Sequence, residues 1–203
     1  MQIELRFPGR GGRRAGAGRK PSDDSGMPHL RREELAARHP VHVTLRVARG
    51  CWNLRSRRAL RALEAAFRAG RERFGFRLIH YSVQGNHLHL ITEAAGKESL
   101  TRGVKGLEVR LARALNHLMR RKGRVFGDRY HAHILKTPRE AARALRYVLM
   151  NFAHHAAAWG ERVSATFVDP FSSVRYLASD PDDAAPVAGP RTWLLRLGWL
   201  GAG

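Results

Sequence analysis

The segment Gln84-Gly85-Asn86-His87-Leu88-His89-Leu90-Ile91 places two histidines either side of one leucine at the start of an apolar run. In a β-strand successive side chains point to opposite faces, so His87 and His89 share one face while Leu88 and Leu90 take the other. Two neutral imidazoles side by side on a rigid strand can supply adjacent metal ligands, leaving positions open for a third protein group and a substrate oxygen. A second copy of the pattern, His131-Ala132-His133, has the same spacing. Spacing alone does not choose between the two pairs.

A tyrosine is the other residue whose position points to chemistry. When residues 138–158 are wound at about 100° per residue, Leu145, Val148, Leu149 and Phe152 fall on one apolar stripe. Tyr147 lies roughly 150° from the centre of that stripe, with Arg143 and Asn151 within about 40° of it and His154 nearer still. A tyrosine that served only packing belongs on the stripe. This one stands on a polar ridge.

Residues 41–47, Val-His-Val-Thr-Leu-Arg-Val, alternate as a strand does. Ser56 is placed to N-cap a helix over 57–74, where Leu60, Leu63, Ala66, Phe67 and Gly70 recur at helical spacing. Residues 76–84 and 87–94 are predicted strands joined by a tight turn at Gly85-Asn86, residue types that tolerate positive φ. A second helix is predicted over 98–121, with Leu107, Leu111, Leu115 and Leu118 as its stripe and Gly123 as its stop. Residues 126–136 form a predicted strand, and Pro138 opens a helix lasting to 158.

The order β-α-β-β-α-β-α predicts an α+β fold, a ferredoxin-like βαββαβ sandwich with an additional C-terminal helix and tail. Two helices would cover one face of an antiparallel sheet, and the last helix would sit separately. The His87 strand would be central, its outer face open. The organisation follows: 1–40 as a basic arm rich in Gly and Arg, 41–160 as the single core domain, and 161–203 as a tail.

Within the arm, residues 9–21 carry Arg10, Arg13, Arg14, Arg19 and Lys20 among glycines, and no apolar residue larger than alanine. Such a segment cannot bury enough surface to offset its ordering entropy, so it is expected to be disordered in isolation and to grip phosphates. In the tail, 169–176 is followed by a linker over 180–186 and then by Trp193-Leu194-Leu195-Arg196-Leu197-Gly198-Trp199. That last stretch is expected to dock on the core as a short amphipathic element. The sharper alternative is a nucleic-acid contact by Trp193 or Trp199.

The 203 residues, 43% apolar, suffice for one sizeable core. A formal charge of +20 and a pI near 11.6 are the footprint of a polyanion binder, most often of nucleic acid. Cys51 is the only cysteine, which excludes an intramolecular disulfide and a cysteine-based zinc cage and fits a reducing cytoplasm. No apolar run approaches the roughly 20 residues of a membrane span, and the first residues lack the apolar core of a signal peptide. A soluble, cytoplasmic, nucleoid-associated protein with no membrane partner is the expectation. The glycine-rich stretches do not match a Walker loop.

Taken together, Asn86-His87-Leu88-His89-Leu90 after a hairpin, Val125-Phe126-Gly127-Asp128-Arg129-Tyr130-His131-Ala132-His133 on a later strand, and Tyr147-Val148-Leu149-Met150-Asn151 on the following helix resemble the HUH single-strand DNA endonucleases. Within them the pattern is most similar to the single-tyrosine, IS200-like transposases of the REP-associated (RAYT) branch. The Gly-Arg arm and the Asp-Pro-Phe-Ser-Ser and Trp-Leu-Leu-Arg segments of the tail look like that branch too. The resemblance spans about residues 9–200.

The resemblance implies that His87 and His89 are the metal pair, Tyr147 the nucleophile on a catalytic helix, and Asn151 the third ligand one turn on. It implies a divalent ion, Mg²⁺ or Mn²⁺, and single-stranded or hairpin DNA as partner, for a monomer or homodimer. His131 and His133 become DNA-contacting or supporting residues, with plain packing as the alternative; Arg129 is a DNA contact, and Arg143 and His154 either grip flanking phosphates or act on the tyrosine proton. One departure stands out: many relatives have proline after the asparagine, whereas Phe152 follows Asn151 here. The expected chemistry is attack by the phenol on a charge-neutralised phosphate, giving a 5′-phosphotyrosine and a free 3′-OH. Two other classes compete: a non-catalytic binder of structured DNA or RNA, and a water-activating metal hydrolase, for which Asp128 is a thin basis.

Overall fold

The computed structural model describes residues 33–158, 168–177 and 181–202, with backbone alone over 151–158. The arm residues Arg10, Arg13, Arg14, Arg19 and Lys20 lie outside the described residues, as do the side chains of Asn151 and His154.

The elements run β1 (Val41–Arg46), α1 (Arg57–Gly70), β2 (Glu72–Arg73), β3 (Phe76–Val83), β4 (His87–Ala94), α2 (Lys97–Leu118), β5 (His131–Ile134) and α3 (Pro138–Ala158). The strands pair antiparallel in one sheet of order β2-β3-β4-β1-β5. This is the expected sandwich with its histidine strand in the middle. The side of the sheet bearing Val41, Val43, Leu45, Tyr81, Leu88 and Leu90 is fully buried against α1 and α2. Helix α1 starts where Ser56 Oγ accepts the Ala59 N–H at 3.2 Å, and it buries Leu63, Ala66 and Phe67. Helix α2 meets β3 at Gly103, where a Cβ would stand 2.1 Å from the Phe76 ring. Only glycine allows that approach.

Helix α3 covers part of the opposite face. Its Ala144, Leu145, Val148 and Leu149 pack with Ile79, Ile91, Ala188 and Leu195 into a second, smaller core. A bulge between Leu78 and His80 makes this possible, because the extra residue turns Ile79 away from the first core towards α3. The tail docks on both cores, with Val187 in the first and Leu195 and Trp199 against the second. It also closes the free edge of β3, where Val83 N–H donates to Phe171 O at 2.8 Å and Ser173 N–H to Tyr81 O at 3.0 Å. Asp169 is clamped by Arg55 through bonds of 2.8 and 3.1 Å.

Four local expectations change. The helix predicted to residue 74 ends at Gly70, because Glu72-Arg73 pair with β3 as a hairpin strand. Helix α2 ends at Leu118 rather than 121, and Arg120 takes the reversing positive φ of 49° before Gly123 takes its own. The Gly85-Asn86 turn uses no positive φ. It is held instead from outside, by Leu54 N–H donating to Gly85 O and Val47 N–H to Asn86 O, both at 2.9 Å. Finally, the strand predicted over 126–136 pairs only over 131–134. Residues 127–130 bulge out opposite 45–46, between the Val47↔Phe126 bridge and the Thr44↔His131 pair. Asp128 Oδ1 accepts the Arg129 N–H at 2.7 Å there, a local bond that competes with the ladder.

Candidate active site

The sheet register assembles the site. Thr44 pairs with His89 on one side and His131 on the other, His42 pairs with Ile91 and His133, and Arg46 pairs with His87. Since paired residues share a face, His42, Thr44, His87, His89, His131 and His133 all lie on the face turned away from α1 and α2. The two His-x-His copies are therefore neighbours across β1. His89 is buried and His87 half-buried, whereas His131 and His133 stand exposed on the edge strand.

The two inner imidazoles converge. His87 Nε2 and His89 Nε2 are 3.0 Å apart, and each ring's other nitrogen has a partner. His87 Nδ1 lies 2.8 Å from Asn86 Oδ1, and His89 Nδ1 lies 3.1 Å from His42 Nε2 and 3.2 Å from Thr44 Oγ1. Burial, then the charges of His131 and His133, lower the His42 pKa to about 4. His42 is thus neutral at pH 7, and its Nε2 can accept from His89 Nδ1–H. With protons on both Nδ1 atoms, both Nε2 lone pairs point at the same place.

That geometry fits a divalent ion. Two donors 3.0 Å apart match adjacent corners of an octahedron with metal–ligand bonds of about 2.1 Å. Among the described residues, no group of three or more His, Cys, Asp or Glu side chains could hold a metal. The pair supplies two donors.

Helix α3 brings the tyrosine. Its start is fixed by a capping box: Glu140 N–H donates to Thr137 Oγ1 at 3.2 Å and Thr137 N–H to Glu140 Oε2 at 3.0 Å, with Pro138 at the first helical position. The Leu145, Val148 and Leu149 stripe locks the helix onto β3 and β4. Tyr147 then projects over the imidazoles, its ring 5.0 Å from that of His89 and 5.9 Å from that of His42. Its exposure is 41%. Of the other tyrosines, Tyr81 and Tyr130 are buried and Tyr176 lies beneath Arg175.

The structure thus brings His87, His89 and Tyr147 together and sets His131 and His133 beside them. Arg143 is exposed one turn before Tyr147, and Arg129 is exposed in the bulge next to β5. His42 and Thr44 are the residues that sequence reasoning missed. Their signal was the alternation Val41-His42-Val43-Thr44-Leu45, which puts both on the polar face of the same strand.

No protein-family model matches the sequence, and no curated protein matches it significantly. Among the solved structures similar to it are two transposase structures. One is a crystallised transposase candidate from Deinococcus radiodurans R1, with 16% identity and a TM-score of 0.42 over 68% of this chain and 100% of that one. The other is a REP-associated tyrosine transposase bound to a REP hairpin, with 14% identity and a TM-score of 0.56 over 81% of this chain and 98% of that one. The fold of this chain is the fold of that REP-associated transposase.

Proposed function

We propose that the protein is a metal-dependent single-strand DNA endonuclease and strand transferase of the transposase type, acting at hairpin-forming repeats through a tyrosine nucleophile. The observation that carries this reading is the phenol of Tyr147 standing over two imidazoles whose Nε2 atoms are 3.0 Å apart. The fold shared with a transposase bound to a REP hairpin supports it, and the charge of +20 suits a DNA partner.

In this reading His87 and His89 hold Mg²⁺ or Mn²⁺, and Asn151, one helical turn after Tyr147, is the third ligand. When bound, the ion neutralises charge on the scissile phosphate and stabilises the departing 3′ oxygen. A phenol with a pKa near 10 is a weak nucleophile at pH 7, so it needs that neutralised target. Tyr147 Oη attacks phosphorus, its proton leaves to solvent, and the P–O3′ bond breaks. The departing oxygen takes a proton as a free 3′-OH, and the 5′ end stays on Tyr147 as a phosphotyrosine. Attack by another 3′-OH reverses the step and joins strands, so no nucleotide cofactor is consumed.

The remaining residues serve the strand. Arg143 and His154, one turn before and two turns after Tyr147, contact phosphates flanking the cleaved bond. Arg129, His131 and His133 meet DNA along the β5 edge. Arg10, Arg13, Arg14, Arg19 and Lys20 add salt-sensitive phosphate contacts.

The test is incubation of the protein with labelled hairpin oligonucleotides taken from repeats flanking its gene, in Mn²⁺, followed by denaturing gels. A covalent protein–DNA adduct in the wild type that vanishes in Tyr147→Phe is the expected result. Tight binding without an adduct across substrates and metals would instead identify a non-catalytic binder of structured DNA.

A further inference from the structure

At the far end of β4 from the histidines, the β2–β3 hairpin reverses through Phe74 and Gly75, both at positive φ, 56° and 74°. Two successive residues of that kind make the type I′ turn, whose usual first residue is Asn, Asp or Gly. A bulky aromatic there is a genuine outlier and costs stability. The Phe74 side chain stays largely exposed, at 58%, with the Arg102 guanidinium on one face of its ring at 4.6 Å. A strained residue with so little packing reward is a pointer to function.

Trp193, 61% exposed, lines the same groove as Phe74. It is fixed in place from two sides. The buried Glu93 carboxylate accepts the N–H groups of Arg191 and Thr192, at 2.9 and 2.7 Å, and so anchors the chain just before it. Gly198 lets the ring lie on the backbone, since a Cβ there would be 2.7 Å from Trp193 Cζ3.

Phe74 and Trp193 line one open groove of about 760 Å³ together with Arg38, Arg73, Arg77 and Arg191. Its two carboxylates pair within it, Glu72 with Arg77 and Arg191 and Glu93 with Arg77 and the backbone, so four arginines stand against two carboxylates. The groove is therefore positive, with rigid aromatic rings on its walls. Glu93 is four residues beyond His89 on β4, roughly 13 Å at a strand's rise, and α3 packs on Ile91 between them.

We infer that this groove is a second nucleic-acid site, which holds an unpaired DNA strand by stacking bases on Phe74 and Trp193 while the exposed Arg38, Arg73 and Arg191 face the phosphates. Aromatic platforms combined with a basic groove bind single strands with little sequence preference, because every base has a π face. The site goes beyond the chemistry at Tyr147 and stands whether or not that tyrosine cleaves DNA.

The strained turn supplies a clean test. Phe74→Asn puts the favoured residue into the type I′ position, so this variant should melt at or above the wild-type temperature while losing the platform. Binding is read by anisotropy of labelled dT15 at about 200 mM salt, where purely electrostatic binding is weakened. Phe74→Asn and Trp193→Ala should each weaken dT15 binding about 5- to 100-fold, and Phe74→Tyr should bind within twofold of wild type. A duplex of the same length should bind all of them alike, and Tyr147→Phe should bind dT15 normally, which separates this site from the adduct assay. Unchanged dT15 affinity in Phe74→Asn and Trp193→Ala, or equal losses for single strand and duplex, would overturn the inference.

Discussion

On β4, Leu88 and Leu90 are sealed beneath α1 and α2, while His87 and His89 point the other way, towards Tyr147 on α3. The two faces of this one sheet are built to different rules. The helix-covered face is an apolar layer filled to the point where Gly103 admits no side chain at all, and close packing of that kind fixes strand positions to fractions of an ångström. The other face is apolar only where α3 and the tail sit on Ile79 and Ile91. Elsewhere it carries His42, Thr44, His87, His89, His131 and His133. A site that needs two ring nitrogens converging on one point needs a rigid support, and here the support is the other side of the same strands.

Neighbouring residues on β4 give the strongest way to break that division. Leu90 has no exposed surface, so Leu90→Ala should cost about 2–5 kcal/mol in stability, as large-to-small core changes do. His89 is also buried, but it is held through its Nδ1 by hydrogen bonding to His42 and Thr44. His89→Ala should cost only about 1–2 kcal/mol and yet abolish both Mn²⁺ binding and the DNA adduct. Chemical denaturation paired with calorimetric metal titration separates the two effects. If Leu90→Ala lost metal binding while remaining as stable as wild type, the two faces would not be divided in this way.

His80 sharpens the comparison because it lies on the histidine side but under cover. Burial lowers its pKa to about 4, and its Nδ1 meets Ser173 Oγ at 3.1 Å. The unfolded chain takes up a proton near pH 6.5 and the folded chain does not until about pH 4. The stability that depends on neutral His80 is therefore complete above pH 6.5 and declines as the pH falls towards 4, by at most about 3 kcal/mol. In His80→Gln the slope of unfolding free energy against pH over that window should be shallower by up to one proton. An identical slope would mean that His80 titrates as it does in the unfolded chain.

Alternation and helical spacing carried enough to locate both faces. They identify the strands, the stripe of α3 and the displacement of Tyr147 from it, because each is a local repeat in residue type. The features that escaped are those decided by partners distant in sequence. The end of α1 depends on Glu72-Arg73 finding β3, although those residues suit a helix equally well. The bulge at 127–130 depends on which residues of β1 are already paired to β4. The tail's place beside β3 rests on an Arg55–Asp169 pair 114 residues apart in the chain. His42 is a different case: the strand was legible, but a lone histidine on it acquires meaning only once the register sets it beside His89.

That register makes the finest prediction. His42 reaches no phosphate and no metal in the proposed site. It acts through His89, by accepting the Nδ1 proton at 3.1 Å so that Nε2 keeps its lone pair, and Thr44 Oγ1 at 3.2 Å is a second acceptor for the same proton. Partners of metal-bound imidazoles are typically worth 10- to 100-fold in affinity, so His42→Ala should weaken Mn²⁺ binding by about tenfold, the lower end, with Thr44 in reserve. The His42→Ala and Thr44→Val double variant should lose more than the product of the single losses, because only then has Nδ1–H no acceptor. His42→Gln, whose side-chain oxygen can still accept, should recover part of the affinity. Affinities equal to wild type in all four variants would mean that the inner pair orients itself without β1, and that the two β4 histidines alone define the site.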